Sequence, residues 1–442
     1  MSQTDPSFPA LHGRPEQGWV NDPNGLAVID GRYHVFFQYN PDAPVHSSIH
    51  WGHVSSTDLL RWRQEPIALA PRAGGPDERG CFSGCLVDED GTPTAVYTAI
   101  THTNYTGVAL ATSDRAAVSW VQEDAVLANS DLPRGIGIRD PYLFTFGGHR
   151  YAVQGGGSAG EKPRVYLYRC DDLRDWSFLG ELLTGDDPVA AAYGDSLNPS
   201  TLNPSSLNPT SNVWECPNLF ELDGSWLLLV SPLSIEPDGH GHGEVFALVG
   251  QLEPDGDGLR FRPSSASPVD IGPSFYAPQV LEDGDRHLLW GWTKDLGRSA
   301  EAIAAAGWTG ALTFPRELKL VDSVLLSKPA EELIALRREQ LDPIDGALSA
   351  AAFEIEGDTT ELRLILEHDN GTETVLDRRR TQPGTIRILV DGSIIEVFVD
   401  GEPPRTLRAY PEPRSQWRIE GGTDLRIWRL GLPRSQERGH TS

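Results

Sequence analysis

Three acidic residues sit in short, turn-prone strings: Asp22 in Asn21-Asp22-Pro23-Asn24-Gly25, Asp140 in Arg139-Asp140-Pro141, and Glu215 in Glu215-Cys216-Pro217. Singly, each string has an ordinary explanation. Asn, Asp, Pro and Gly all serve turns, an isolated Arg-Asp pair is a surface ion pair of little energetic consequence, and one Glu before Cys-Pro carries no signal. Together, without metal-type histidine partners, three carboxyls suit cleavage of a glycosidic bond. One carboxylate attacks or stabilises an oxocarbenium-like centre while another carboxyl protonates the departing oxygen. The proton donor needs a raised pKa, which a neighbouring carboxylate and apolar walls supply. Trp214 and Cys216 beside Glu215 are candidates for those walls, and Trp19, Trp51, Phe82, Tyr276 and Trp292 are candidates for stacking on sugar faces. Any one of these aromatics, taken alone, is more often plain core.

Carboxyls 118 and 75 residues apart in the chain need a fold that brings them together. Residues 20–310 are rich in Val, Tyr, Phe, Trp, Gly and Pro, which points to an all-β protein. Tight-turn dipeptides recur at Asp30-Gly31, Asp90-Gly91, Gly147-Gly148, Asp223-Gly224 and Asp283-Gly284, each between two apolar runs. This is a hairpin signal, because such turns need positive φ. The turn intervals are 60, 57, 76 and 60 residues, and the long one contains the insert Ser-Leu-Asn-Pro-Ser-Thr-Leu-Asn-Pro-Ser-Ser-Leu-Asn-Pro-Thr at 196–210. Without those 15 residues the interval falls to 61. Asp-Leu-x-x-Trp at 58–62 and 172–176, with Trp120 between, repeats at the same period.

Five even units of several strands each predict a five-bladed β-propeller for residues 1–315. The three acids lie seven or eight residues before their turns, in blades one, three and four, with Ser83 and Tyr276 in the matching places of blades two and five. That count predicts a shared strand phase, with all three carboxyls at one end of the central channel. An amphipathic segment at 329–340 predicts a short helix in a linker spanning 316–345. Alternating runs such as Ala-Ala-Phe-Glu-Ile-Glu and Leu-Arg-Leu-Ile-Leu-Glu predict a C-terminal β-sandwich over 346–436. The Leu-Asn-Pro insert reads as an exposed loop bordering the site entrance.

Composition narrows the function classes. The formal net charge of −26 disfavours nucleic acid and anionic membrane surfaces, and is accounted for by solubility. No run approaches the ~18 apolar residues of a membrane span, and Met1–Ala10 lacks the pattern of a secretory signal. Cys81, Cys85, Cys170 and Cys216 form no zinc-type spacing. They read as buried free thiols in a cytoplasmic protein, with Cys81 and Cys85 on one face of a strand.

Trp19-Val20-Asn21-Asp22-Pro23-Asn24-Gly25, Phe82-Ser83-Gly84, Arg139-Asp140-Pro141 and Glu215-Cys216-Pro217 resemble the signature motifs of glycoside hydrolase family 32. His-Gly-Arg-Pro at 12–15, Gln-Tyr-Asn-Pro at 38–41, Trp-Gly-His at 51–53, Phe-Tyr-Ala-Pro-Gln at 275–279, Phe-Pro-Arg-Glu-Leu at 314–318 and the tail segment 387–402 add to the likeness, which covers nearly the whole chain in order. The resemblance implies a five-bladed propeller followed by a β-sandwich. It also implies release of fructose from the β-fructofuranosyl end of sucrose or a short fructo-oligosaccharide, with retention through a covalent intermediate.

By the same resemblance Asp22 is the nucleophile at C2 and Glu215 the general acid, then base. Asp140, with Arg139, holds sugar hydroxyls and stabilises the transition state. Asn21, Gln38, Trp51, Phe82 and Ser83 line the fructose pocket; Tyr276 and Trp292, from their place near the same channel end, are further candidate substrate contacts. Retention implies catalytic carboxyls about 5–5.5 Å apart. No cofactor or metal is called for, and the partner is a small sugar. The sandwich is a surface through which a homodimer could form. Two departures stand out: Val20 where Met is common, and Ser274 where many members carry an acid, the latter bearing on leaving-group contacts. A fructosyltransferase, an exo-acting inulinase or levanase, a non-catalytic fructan-binding protein and an arabinanase-like propeller are the rival readings. The intact acids argue against the binding protein, and the Trp19–Gly25 and Glu215–Pro217 motifs argue against the arabinanase.

Overall fold

The computed structural model describes residues 5–101, 106–128, 137–157, 160–196, 211–236, 239–343, 345–422 and 424–433. Of the insert at 196–210, every residue but Ser196 lies outside the described residues. Four of the recurring dipeptides form two-residue hairpin loops with both residues left-handed: φ is 49° and 75° at Asp30-Gly31, 49° and 85° at Asp90-Gly91, 60° and 81° at Gly147-Gly148, and 52° and 77° at Asp223-Gly224. Such turns match the right-handed twist of their flanking strands. The fifth loop sits one residue later than expected. Asp283 pairs with Arg286, so the loop is Gly284-Asp285, with Gly284 at φ 63°.

Each hairpin begins a four-stranded antiparallel blade. The blades comprise Gly18–Ile29, Arg32–Asn40, His50–Ser56 and Arg63–Gln64; Gly80–Glu89, Thr92–Ile100, Thr106–Ser113 and Trp120–Ala128; Arg139–Phe146, His149–Gly156, Arg164–Asp172 and Asp175–Thr184; Val213–Leu222, Ser225–Glu236, Phe246–Asp255 and Gly258–Pro268; and Phe275–Asp283, Arg286–Thr293, Arg316–Val321 and Val324–Pro329. Their first strands touch in a ring, each on the next and the fifth back on the first. Trp308–Thr309 pairs in parallel with Gly18 and Trp19, which ties the two ends of the ring together. Only glycine fits at 310, because a Cβ there would lie 1.9 Å from the Val20 carbonyl oxygen. Apolar cores fill the wedges between blades, one of them around Phe36, Trp51 and Tyr97 between blades one and two.

The segment 316–345 is not a linker. Residues 316–329 are the outer two strands of blade five, paired through Leu288↔Glu317 and Leu318↔Ser327. The expected helix over 329–340 is a 3-10 turn at Glu331–Leu336 followed by strand Arg337–Gln340, which pairs with Arg426–Leu430 of the second unit. Leu333 and Leu336 bury into the interface between the two units with Phe314, Leu389 and Phe398, so packing there overrides helical periodicity.

The C-terminal unit is built on two long strands, Ala352–His368 and Gly371–Asp391, paired along their length. The first pairs with Arg426–Leu430 at its beginning and with Gln416–Glu420 at its end, so it passes from one layer to the other, as corner strands of sandwiches do. Between the layers lie Phe353, Leu364, Ile388, Val397 and Trp417.

The two units are joined through buried charge. Arg316 of blade five is fully buried. It donates to Asp270 Oδ2 at 2.7 Å, to Glu396 Oε2 at 2.8 Å and to Thr406 Oγ1 at 2.7 Å. His12 bridges Asp391 at 2.8 Å and Glu396 at 3.4 Å. Burial pulls His12 down, but bonds to the two carboxylates leave it above its usual value. Its contribution to stability is therefore full below the ordinary histidine range and fades as pH rises through the raised value. Breaking a buried pair from one side leaves uncompensated charge. Arg316→Met should therefore destabilise the fold by about 3–5 kcal/mol, read by urea unfolding. A change under about 1 kcal/mol would mean that the bridge contributes nothing net.

Candidate active site

Every inner strand carries a bulge in which two residues oppose one on the neighbouring strand. These are Asn21-Asp22 opposite Gln38, Phe82-Ser83 opposite Thr98, Asp140-Pro141 opposite Gln154, Cys216-Pro217 opposite Val230, and Ala277-Pro278 opposite Gly291. Aligned on this feature, Asp140 is the first bulge residue, Asp22 the second, and Glu215 the residue just before. The acids thus do not share one strand phase, as counting back from the turns suggests. A bulge adds a residue and bends the strand, so three consecutive positions face one channel end. Asp140, Cys216 and Ala277 adopt left-handed backbone at φ 59°, 47° and 46°, each costing on the order of 1–3 kcal/mol. The bulge at Phe82-Ser83 also sends Cys81 and Cys85 to different cores, not to one face. All four cysteines are free and buried.

Asp22 lies in a fan of donors. Its Oδ2 accepts from Ser83 Oγ at 2.6 Å, Gln38 Nε2 at 3.2 Å and Cys216 Sγ at 3.5 Å. Its Oδ1 accepts from Asn21 Nδ2 at 3.0 Å. Gln38 also bonds Ser83, and Asn21 Nδ2 donates to Gln38 Oε1, so these side chains hold one another. Asp140 Oδ2 accepts from the Cys216 amide at 2.9 Å and the Cys216 thiol at 3.6 Å, and the Asp140 amide donates to Thr98 Oγ1 at 2.7 Å. Glu215 is gripped on both oxygens, by Arg139 Nη1 at 3.0 Å and by the Tyr276 hydroxyl at 3.0 Å.

Three carboxyls share this volume with the single guanidinium of Arg139, and their charges oppose one another. Burial, followed by the Glu215 charge, carries Asp22 up to about 6 against the hydrogen bonds from Ser83, Asn21 and Cys216. Asp140 is raised by burial and then by Glu215 and Asp22, against Arg139. Burial lowers Arg139, but Glu215 and Asp140 outweigh it and hold the guanidinium above its ordinary value.

The walls differ in part from expectation. Cys216 touches both Asp22 and Asp140, whereas Trp214 packs edge-on against Phe246 in the inter-blade core. Trp51 is fully buried, with its indole N–H on the Phe82 carbonyl at 3.0 Å. It supports the wall from behind and presents no open face. Phe82, His46, Trp19 and Trp292 form a chain of rings with successive centroids 5.6, 5.7 and 5.8 Å apart. His242 closes the chain, 5.7 Å from Trp292 and 4.4 Å from Tyr276. Both histidines escape sequence analysis. His46 is in the loop after the Gln38–Pro41 motif and His242 is in a Gly-His-Gly-His strand added to blade four, and neither residue type nor spacing marks them. Among the described residues no cluster of His, Cys, Asp and Glu could hold a metal ion. No helix among them is long and apolar enough to cross a membrane.

A five-bladed propeller with three carboxyls and a guanidinium at one channel end defines a glycoside hydrolase, acting on O-glycosyl bonds. Residues 12–329 match the glycosyl hydrolases family 32 N-terminal domain, and residues 328–428 match the family 32 C-terminal domain. The chain is 32% identical to a sucrose-6-phosphate hydrolase of Zymomonas mobilis over 92% of this chain and 80% of that one. It is also 32% identical to a raffinose invertase of Escherichia coli, over 92% and 90%. The solved family 32 beta-fructofuranosidase of Bombyx mori superposes with a TM-score of 0.77 at 26% identity, over 97% of this chain and 95% of that one. The chain belongs to glycoside hydrolase family 32.

Proposed function

We propose that this enzyme releases fructose from the non-reducing β-fructofuranosyl end of sucrose or short fructo-oligosaccharides, with retention, through a fructosyl-enzyme intermediate. The observation that carries this is the convergence of Asp22, Asp140 and Glu215 on one channel end, each in a different electrostatic setting. Asp22 attacks C2. Its Oδ2 is occupied by three donors, so Oδ1, with one, is the oxygen that forms the bond. Glu215 gives its proton to the departing oxygen, and Arg139 and Tyr276 steady the carboxylate left behind. Glu215 then takes a proton from the water that attacks C2 and frees Asp22. Asp140 Oδ1 accepts no bond among the described residues, and it holds a sugar hydroxyl. Asn21, Gln38, Ser83 and Phe82 shape the fructose pocket. The names of the relatives, a sucrose-6-phosphate hydrolase and a raffinose invertase, support a fructosyl substrate.

The test is product analysis on sucrose, kestose, inulin and levan, with NMR of the first-formed sugar. Fructose should appear first as its β-furanose anomer. No fructose from any substrate removes the proposal, and initial α anomer removes retention. The pH profile gives a second check. Ser83→Ala deletes a hydrogen bond that favours the Asp22 carboxylate, so Asp22 should titrate higher still. Because the nucleophile must be ionised, the acid limb of kcat/KM should move up by about one pH unit. An unmoved limb would assign that limb to another group.

A further inference from the structure

Lys294 follows the second strand of blade five and is 7% exposed. Its ammonium lies over the Tyr276 ring, 5.3 Å from the centroid, within the ~6 Å at which an aromatic face attracts a cation. The hairpin fixes this placement. Tyr276 pairs with Trp292, and just beyond that pair the Lys294 amide donates to the Ser274 carbonyl at 2.7 Å. A buried ammonium ordinarily has a carboxylate partner, since desolvation is costly. Among the described residues no carboxylate pairs with Lys294. The charge that acts on it is Asp270, whose carboxylate is already committed to Arg316 and Thr406. Burial brings Lys294 down to about 8, so at neutral pH it is still mostly protonated.

The Tyr276 hydroxyl has a single proton and three acceptors in reach: Glu215 Oε2 at 3.0 Å, the Ser231 carbonyl at 3.2 Å and the Pro232 carbonyl at 3.0 Å. Donation to Glu215 therefore competes with donation to two neutral oxygens. A positive charge over the ring draws electron density from the phenol oxygen and makes its O–H a stronger donor. The gain is largest toward an ionised acceptor. Other charged or titratable groups face Glu215 from the remaining blades. Arg139 grips its other oxygen from blade three, Asp140 and Asp22 oppose its charge, and His46 approaches from the loop after the second strand of blade one. Burial keeps the Cys216 thiol protonated, and His242 of blade four packs on the Tyr276 ring at 4.4 Å. Lys294 is thus a second cation on the Glu215 side, and it reaches that carboxyl through the tyrosine.

We propose that Lys294 is a positioning residue for the proton-donating step: its charge, acting through the Tyr276 ring, turns the hydroxyl proton toward Glu215 and stabilises the carboxylate that forms as the leaving oxygen takes the proton. It touches neither the sugar nor a reacting atom. The inference rests on the general-acid role given to Glu215 above.

The full-length enzyme is assayed as wild type, Lys294→Met, Lys294→Arg, Tyr276→Phe, and Lys294→Met combined with Tyr276→Phe, with thermal unfolding of each. The substrates are sucrose and an aryl fructoside, whose departing oxygen needs little protonation. Lys294→Met should lose about 3–10-fold in kcat/KM on sucrose and under about twofold on the aryl substrate. The alkaline limb of kcat/KM on sucrose should move up by about half a pH unit, because without the cation the general acid keeps its proton to higher pH. Lys294→Arg, which keeps the charge, should restore both. In the Tyr276→Phe background Lys294→Met should add little, since the hydroxyl that carries its effect is gone. If Lys294→Met does not fold, Lys294→Gln takes its place. Equal losses on both substrates, an unmoved limb, or an undiminished loss in the Tyr276→Phe background overturns the proposal. Glu215→Gln separates the two possible failures. If it discriminates between the substrates and Lys294→Met does not, this inference alone fails; if it loses equally on both, the general-acid reading fails as well.

Discussion

Asp22→Asn should lower fructose release by roughly 10⁴–10⁶-fold, the scale seen when a nucleophile is removed from an enzyme, while making the fold more stable. Asparagine is nearly isosteric, and its carbonyl oxygen can keep part of the donor fan from Ser83, Gln38 and Cys216, but it cannot form a glycosyl ester. The stability gain follows from the displaced titration. Asp22 titrates at about 6 against an ordinary 3.8, with burial as the main cause. Folding thus favours its protonated form, whose stabilisation is complete below the unfolded value and is lost as pH rises through about 6. At pH 7 the wild type carries a strained carboxylate worth up to about 3 kcal/mol. The amide avoids that cost but loses some hydrogen bonds, which leaves a net gain of about 1–2 kcal/mol. Urea unfolding at pH 7 and pH 4 should show the advantage at the higher pH and little at the lower. Sucrose turnover within tenfold of wild type would exclude Asp22 as the nucleophile.

Glu215→Gln should lower kcat on sucrose by about 10²–10⁴-fold, the contribution of a positioned general acid. The size should depend on the leaving group. An aryl fructoside, whose departing oxygen needs little protonation, should form the fructosyl-enzyme at nearly the wild-type rate and then stall, because Gln cannot activate water. A burst of phenol followed by slow turnover is the expected trace, and azide should speed the second phase by replacing water as the nucleophile. The amide keeps an oxygen for Arg139, and its NH2 can donate to the Tyr276 hydroxyl, which also reaches the Ser231 and Pro232 carbonyls, so the fold should persist. Equal losses on sucrose and on the aryl substrate, with no burst, would assign Glu215 to binding.

Much of the architecture was legible before any coordinates. Asp-Gly and Gly-Gly loops announce themselves because left-handed φ at two successive residues is a local demand, met by few residue types. Four such demands, with a fifth loop in which Gly284 alone is left-handed, at an even interval amount to a propeller. The outer half of blade five is not legible in the sequence, because 316–329 lacks a diagnostic turn dipeptide. Its loop is Asp322-Ser323, at φ 49° and 62°, an unusual pair for that conformation. The helical segment within 329–340 is a 3-10 turn at Glu331–Leu336, shorter than the amphipathic stretch: such spacing marks burial of one face, and here Leu333 and Leu336 are buried between the two units.

The site divides in the same way. The sequence alone determined which carboxyls are present, that three separate blades carry them, and that motifs around them match one family, because residue type and turn chemistry are local properties. Only the tertiary structure decided how they meet. Asp140, Asp22 and Glu215 occupy three different positions around a bulge, and strand alternation cannot reveal where a bulge falls, since it arises from pairing with a neighbouring strand. The same holds for the grip of Arg139 and Tyr276 on Glu215 and the retreat of Trp51 behind the wall. Each depends on which groups share a small buried volume, and that is set by contacts between residues distant in the chain.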